Sequence, residues 1–166
     1  MTLRYYKLDK NAFDPVYATK GSACFDLKAF LPNDFFVDIY TLGNKNIKVK
    51  IKENQLTLKP GDRALIPTGL IFDIPEGYSI RLHIRSSVSL KKGLMLCNSE
   101  GVIDYDYVDP TYIMVGNFSS QGVTIYNGDR IAQGELVEIK QVAMEEIPEP
   151  PQQKTDRNGG FGSTGV

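Results

Sequence analysis

Three stretches of this chain gather residues that can do chemistry on a charged, flat ligand. In Arg85-Ser86-Ser87-Val88 a guanidinium and two hydroxyls stand where a short helix is expected to begin. That donor set suits an oxyanion or a phosphate, although a strand end with a serine N-cap has the same letters. Asn98-Ser99-Glu100-Gly101-Val102-Ile103-Asp104-Tyr105-Asp106-Tyr107 combines an amide, a glycine turn, carboxylates and tyrosines. A hairpin there would offer backbone groups to a base edge, and Asp104 could take a proton from water; a plain surface turn fits equally well. The third stretch is Arg157-Asn158-Gly159-Gly160-Phe161-Gly162-Ser163-Thr164-Gly165. Its glycines let backbone amides converge on an anion, and Phe161, with no core to join, suits stacking on a flat ligand. A disordered terminus is the competing reading, and the residue order is not that of a P-loop.

Other chemistries are poorly supported. The single histidine, His83, lies in the alternating run Tyr78 to Ile84 and reads as a strand residue on a polar or interface face. Mechanisms built on histidine clusters therefore have no basis, and catalysis falls to carboxylates, arginines and backbone amides. The two cysteines, Cys24 and Cys97, have no zinc-site spacing and read as free thiols of a reducing cytosol. With 19 basic and 20 acidic residues the chain lacks the basic excess of a dedicated nucleic-acid binder. No apolar run is long enough to span a membrane and no signal peptide is evident, so a soluble, cytoplasmic protein is expected. At 166 residues the chain is the size of one domain, able to bury roughly 70% of its unfolded surface without staples.

Short period-two runs must hold these groups in place. Strands are expected at Leu3 to Leu8, Arg63 to Ile74, Tyr78 to Ile84, Tyr112 to Phe118, Val123 to Tyr126 and Glu135 to Val142. The turn Pro75-Glu76-Gly77 joins two of them. One helix is expected, about Val88 to Lys92, capped by Ser86 or Ser87. This pattern predicts an all-β sandwich or jelly roll. Gly-Asp-Arg occurs at 61–63 and again at 128–130, each time launching an apolar strand. Residues 34–56 read as an inserted β-hairpin projecting from the barrel, Phe35 to Leu42 against Ile47 to Lys52, with Lys48, Lys50 and Lys52 in solvent. Those lysines serve either as edge protection or as a docking surface for a protein partner. A barrel over 1–147 is followed by a flexible arm, 148–166, whose Pro148-Glu149-Pro150-Pro151 cannot continue a ladder.

Taken together, the chain resembles the trimeric all-β dUTPase family. Five motifs appear in that family's order: Ala18 to Leu27, Arg85 to Ser89, Gly101 to Tyr107, Gly128 to Gln133, and Arg157 to Gly165. The resemblance implies a distorted jelly-roll barrel, a homotrimer with sites at subunit boundaries, and Mg²⁺-dependent hydrolysis of dUTP to dUMP and pyrophosphate. Asp104 would activate water for in-line attack on the α-phosphorus. Tyr107 would stack under the deoxyribose, and Asn98 with the backbone of Gly101, Val102 and Ile103 would read the uracil edge. Arg85, Ser86, Ser87 and Gln133 would hold the α- and β-phosphates, and Arg157 the γ-phosphate. Phe161 would cover the uracil, with Gly160, Gly162, Ser163 and Thr164 adding tail contacts. Asp26 would reach Mg²⁺ through water. Asp129 and Arg130 read as structural ion-pair residues and Asp106 as support for the hairpin.

The chain also departs from that pattern. Ser87 stands where glycine is usual, Cys24 where a smaller residue is usual, and Val108-Asp109-Pro110 where Arg-Gly-Glu is usual. The same fold serves dCTP deaminases, which need a glutamate three residues before the asparagine matched by Asn117. Met114 occupies that position here, which argues against deamination. A chain that keeps the fold and serves only as a regulatory binding module is the remaining rival.

Overall fold

The computed structural model describes residues 1–156 and 159. Its strands are β1 (Arg4–Lys7), β2 (Val16–Tyr17), β3 (Phe25–Lys28), β4 (Phe36–Tyr40), β5 (Asn46–Lys50), β6 (Gln55–Leu58), β7 (Arg63–Pro67) and β8 (Leu70–Asp73). They continue with β9 (Tyr78–Ile84), the helix α1 (Ser86–Lys92), β10 (Leu94–Leu96), β11 (Gly101–Ile103), β12 (Tyr112–Asn117), β13 (Val123–Tyr126) and β14 (Arg130–Glu138). Two five-stranded sheets, β10-β12-β7-β4-β5 and β11-β9-β14-β3-β2, are accompanied by the two-stranded ribbons β1-β8 and β13-β6. Every named pair is antiparallel, and the whole is the jelly-roll-like all-β barrel expected.

Alternation explains how the second sheet serves core and surface at once. Phe25 and Leu27 of β3 and Ile80 and Leu82 of β9 are buried, whereas Asp26, Lys28, Arg81 and His83 between them are only half-buried. The core gathers large side chains from both sheets and the ribbons, among them Leu27, Ile66, Phe72, Ile80, Ile113 and Ile125.

Several boundaries differ from the sequence reading. The run from Arg63 to Ile74 is two strands, because Gly69 adopts a left-handed φ of 72° and the chain leaves the sheet for the ribbon with β1. A Cβ on Gly69 would lie 2.7 Å from the Ala12 Cβ, so glycine is required there on both counts. The last strand begins at Arg130 and ends at Glu138, earlier than expected at both ends. Gly134 does not break it; it leaves room for the Phe25 ring, which a Cβ would meet at 2.5 Å. Ser86 and Ser87 lie inside the first turn of α1, so neither caps it; Arg85 is the N-cap and makes no side-chain cap bond.

The hairpin at 34–56 forms, with Val37 opposite Val49 and Ile39 opposite Ile47, but it does not project. Strand β4 also pairs with β7, Ile39 facing Ala64, and Val37, Ile39 and Ile51 are buried in the common core. Lys48, Lys50 and Lys52 are exposed as expected. Lys48 stands opposite Asp38, and Lys50 is 2.7 Å from Asp34, so acidic neighbours offset much of this basic face. After Ile139, whose amide donates to the Gly77 carbonyl at 2.8 Å, residues 140–156 form neither helix nor strand and are exposed.

Candidate active site

Two cavities collect the predicted site residues. One, of about 590 Å³, is lined by Asp26, Arg85, Ser87 and the Gly128-Asp129-Arg130 turn, together with Asp14, Lys28 and Lys92. Strands β3, β9 and β14 are adjacent, which brings Asp26, the residue after β9 and the first residue of β14 to one place. The Asp26 carboxylate, 12% exposed, sits between two guanidiniums: Arg85 Nε is 3.1 Å from one oxygen and Arg130 Nη1 2.9 Å from the other. Arg85 is further fixed by its backbone amide, which donates to the Ile131 carbonyl at 3.2 Å. Gln133 stands opposite Asp26 on β3 and His83 on β9, on the same outer face. Ser86 is exposed.

Asp129 and Arg130 are ion-paired, as expected, but not to each other. Asp129 accepts from Lys92 Nζ at 3.4 Å and from the Tyr126 amide at 3.1 Å, closing the turn before β14. Asp14, at the same cavity, accepts from the Tyr5 hydroxyl at 2.9 Å and lies 3.3 Å from Lys7 Nζ. Those hydrogen bonds hold its carboxyl below the usual range. Four cations thus meet three carboxylates that are each already engaged. The excess is positive, which favours an anion.

The second cavity, about 450 Å³, is lined by Asn98, Gly101, Val102, Ile103 and Tyr107, with Leu65, Leu82, Leu96, Thr111, Tyr112 and Met114. It is mostly apolar with a few polar groups, the usual make-up of a pocket for a flat organic ligand. The turn carrying Asn98 was expected to close a hairpin. Instead it joins β10 to β11, each the last strand of a different sheet, so both keep one backbone edge without a strand partner among the described residues. Free edges of this kind can read the hydrogen-bonding edge of a base. Gly101 lets β11 lie close over Leu82, whose Cβ a glycine-to-alanine change would approach to 2.9 Å. Ser99 turns the chain with a φ of 63°.

Asp104 follows β11 directly and is exposed; its carbonyl accepts from the Tyr107 amide at 3.1 Å, folding the turn that presents Tyr107. Asp106 is exposed. The Tyr107 hydroxyl donates to the Pro110 carbonyl at 3.1 Å, and burial, with the charge of Asp109, raises its pKa above the ordinary phenol value.

Sequence reasoning missed several lining residues. Met114 was weighed only as the position of a deaminase base. It proves to line the second cavity, where a thioether can neither accept nor deliver a proton at working pH. Thr111 is 2% exposed, and its Oγ1 has no hydrogen-bond partner among the described residues. Tyr112 and Met114 were legible as the outward residues of an alternating strand; Lys28 and Lys92 carried no signal beyond their charge. Arg157, Gly160, Phe161, Gly162, Ser163 and Thr164 lie outside the described residues.

The two cavities share no lining residue. Asp26 lies on the outer face of the sheet that contains β9, while Leu82, which lines the second cavity, lies on its core face.

Comparison with known proteins places the chain in a family. The dUTPase family model matches residues 51–165. A deoxyuridine 5'-triphosphate nucleotidohydrolase of Caulobacter vibrioides is 36% identical over 169 aligned positions, covering 100% of this chain and 96% of that one. Its counterpart in Finegoldia magna is 40% identical, covering 91% of this chain and 90% of its own. Among solved structures, a dUTPase variant of Staphylococcus bacteriophage 80alpha with dUpNHpp superposes at a TM-score of 0.75 over 99% of both chains, at 24% identity. The dUTPase of Streptococcus mutans superposes at 0.65, covering 87% of this chain and 100% of its own at 25% identity. On the extent of the family match and of these full-length relatives, the chain belongs to the dUTPase family.

Proposed function

We propose that this protein hydrolyses dUTP to dUMP and pyrophosphate in a homotrimer whose sites form between subunits. One observation carries the reading: the base-type cavity and the phosphate-type cavity of a single chain share no lining residue. In the proposed trimer the two halves of a site come from different copies, a neighbour bringing its Arg85 face to this chain's β11.

In such a site Asn98 and the open edge of β11 at Gly101, Val102 and Ile103 pair with the uracil edge. A cytosine amino group would meet donors there, and a thymine methyl would meet the wall of the cavity. Tyr107 supports the deoxyribose, its ring fixed by the bond to Pro110, and leaves no room for a 2′-hydroxyl. Asp104 takes a proton from the water that attacks the α-phosphorus. Arg85, Ser86, Ser87 and Gln133 hold the α- and β-phosphates. The arm from residue 148 closes the site, with Arg157 on the γ-phosphate, Phe161 over the uracil, and Gly160, Gly162, Ser163 and Thr164 around the phosphates.

The donor set fits Mg²⁺ held mainly by substrate. The first cavity has no converging carboxylate cage, and the Asp26 oxygens already accept from arginines, which leaves them suited to contact through water. Bound in that way, Mg²⁺ supplies charge that neutralises the triphosphate. Deamination is not part of this activity, since Met114 offers no base.

The test is pyrophosphate release from dUTP, dCTP, dTTP and UTP with Mg²⁺, by wild type and by Asp104→Asn. Turnover of dUTP alone, reduced by roughly 10²–10⁴ in the variant, is expected for loss of a general base. Equal turnover of dUTP and UTP, or a variant as fast as wild type, would refute the assignment.

A further inference from the structure

Outside both cavities, the outer face of the β9-β14-β3 sheet carries Cys24, His83 and Glu135, whose ligand atoms lie within 4.8 Å of one another. We propose that these three side chains form a binding site for a thiophilic divalent ion, Zn²⁺ first among them, separate from the Mg²⁺ that accompanies substrate. The cluster is built by sheet register. Gly134 pairs with Phe25, so continuing the ladder by one residue sets Glu135 beside Cys24, while Glu135 and Gln133 face Arg81 and His83 across β9. Two of the ligands are fixed by strands β9 and β14, and the third, Cys24, immediately precedes β3.

Both distances and chemistry suit zinc. His83 Nε2 is 3.4 Å from Glu135 Oε2. Two ligands on a tetrahedral Zn²⁺ with bonds of about 2.0–2.3 Å lie roughly 3.3–3.7 Å apart. A thiolate, an imidazole and a carboxylate form a mixed soft and hard set that Mg²⁺ does not favour. The other ring nitrogen, Nδ1, faces Glu100 Oε1 at 3.8 Å, and Arg81 Nη1 holds the Glu100 carboxylate at 3.5 Å. A carboxylate on the far nitrogen is the usual orienting partner of a metal-binding histidine. All three ligands are half-buried, so an ion can enter and water can take a fourth position.

The probe is Co²⁺, added to full-length protein stripped of metal with a chelator. Wild type should develop a near-ultraviolet thiolate-to-Co²⁺ band that saturates at one ion per chain. Zn²⁺ should abolish this band, and excess Mg²⁺ should not. Among variants with wild-type circular dichroism, Cys24→Ser should lose the band and Cys97→Ser should keep it. His83→Gln and Glu135→Gln should weaken binding at least tenfold, and Glu100→Gln by about 10–100-fold. Absence of the band in wild type would overturn the proposal, and so would its loss in Cys97→Ser with retention in Cys24→Ser. Full affinity in His83→Gln would overturn it as well. The wild-type titration needs no variant to fold, so the site is tested in any case.

Discussion

Replacing Asp26 by asparagine separates two proposed roles: water-mediated contact with Mg²⁺, and anchorage of Arg85, the proposed phosphate-binding arginine. The carboxylate accepts from Arg85 Nε at 3.1 Å and Arg130 Nη1 at 2.9 Å, while being only 12% exposed itself. A hydrogen bond to a charged group contributes about 1.5–3 kcal/mol. The Arg130 side chain is 48% exposed, so its share shrinks by solvent screening, and the Arg85 bond, at 26% exposure, dominates. Asparagine keeps the shape, can accept with one oxygen only, and carries no charge. Losing one such bond and weakening the other leaves Arg85 free to leave its productive rotamer, a loss of about 1.4–2.7 kcal/mol, or 10–100-fold in rate. The assay is kcat/KM for dUTP as a function of Mg²⁺, for Asp26→Asn, Arg85→Lys and Arg130→Lys. Anchorage predicts that the Asp26→Asn defect persists at saturating Mg²⁺, and that Arg85→Lys, which cannot reproduce the Nε bond, shows a comparable loss. Full recovery of Asp26→Asn by excess Mg²⁺ would refute anchorage and leave only the metal role.

Excising residues 36–54 with a Gly-Ser bridge removes Val37, Ile39 and Ile51 from the core, a loss of about 5–9 kcal/mol against a usual total of 5–15. The expected outcome is an unfolded or aggregated chain by circular dichroism and sedimentation; a folded, cooperative product would show that the hairpin is an appendage. Chains truncated after Gln153, co-expressed with full-length Asp104→Asn chains, should give purified mixed trimers more active than either parent, because an intact Asp104 can meet a neighbour's arm. No gain over the parents would mean that the arm serves its own subunit or none. Asp14, held low by Tyr5 and Lys7, has a folded pKa below its unfolded one, so its stabilisation is full above the unfolded value and fades as pH falls through the folded value. The difference in thermal midpoint between wild type and Asp14→Asn should therefore shrink on acidification; a constant difference would count against the pairing.

What the sequence made legible was whatever depends on local alternation. Tyr78 to Ile84 alternates without interruption, and β9 runs over those residues. The same rule merged β7 with β8, because the apolar pattern continues through Thr68-Gly69 while the strand partner changes from β12 to β1. Gly134 looked like a boundary because its role is to admit Phe25, a residue far away in sequence. Strands β10 and β11 have three residues each, too few to announce that they belong to different sheets. Motif order singled out Asp26, Arg85, Asn98 and Tyr107 as candidates. It could not say which of them share a cavity, since that follows from register and not from spacing. The Cys24, His83 and Glu135 cluster was hidden for the same reason: each looks solitary in its own stretch of sequence.

The division of the site follows from how one sheet is used on both faces. Strands β3, β9 and β14 turn Phe25, Leu27, Ile80 and Leu82 inward, which fills the barrel and excludes a charged triphosphate from that side. The charged residues of the same strands can face only outward, where Asp26, Arg85 and Arg130 assemble on one surface. The backbone edge of β11 is open among the described residues because β11 ends that sheet and β10 ends the other. A one-residue slip of β9 would place Arg81 and His83 in the core and Ile80 and Leu82 in water, so register fixes which groups face outward. Pairing the outer face of one copy with the open edge of another needs no such change. Under the proposed function, assembly of copies would let the barrel keep its core while the substrate meets both halves of its site.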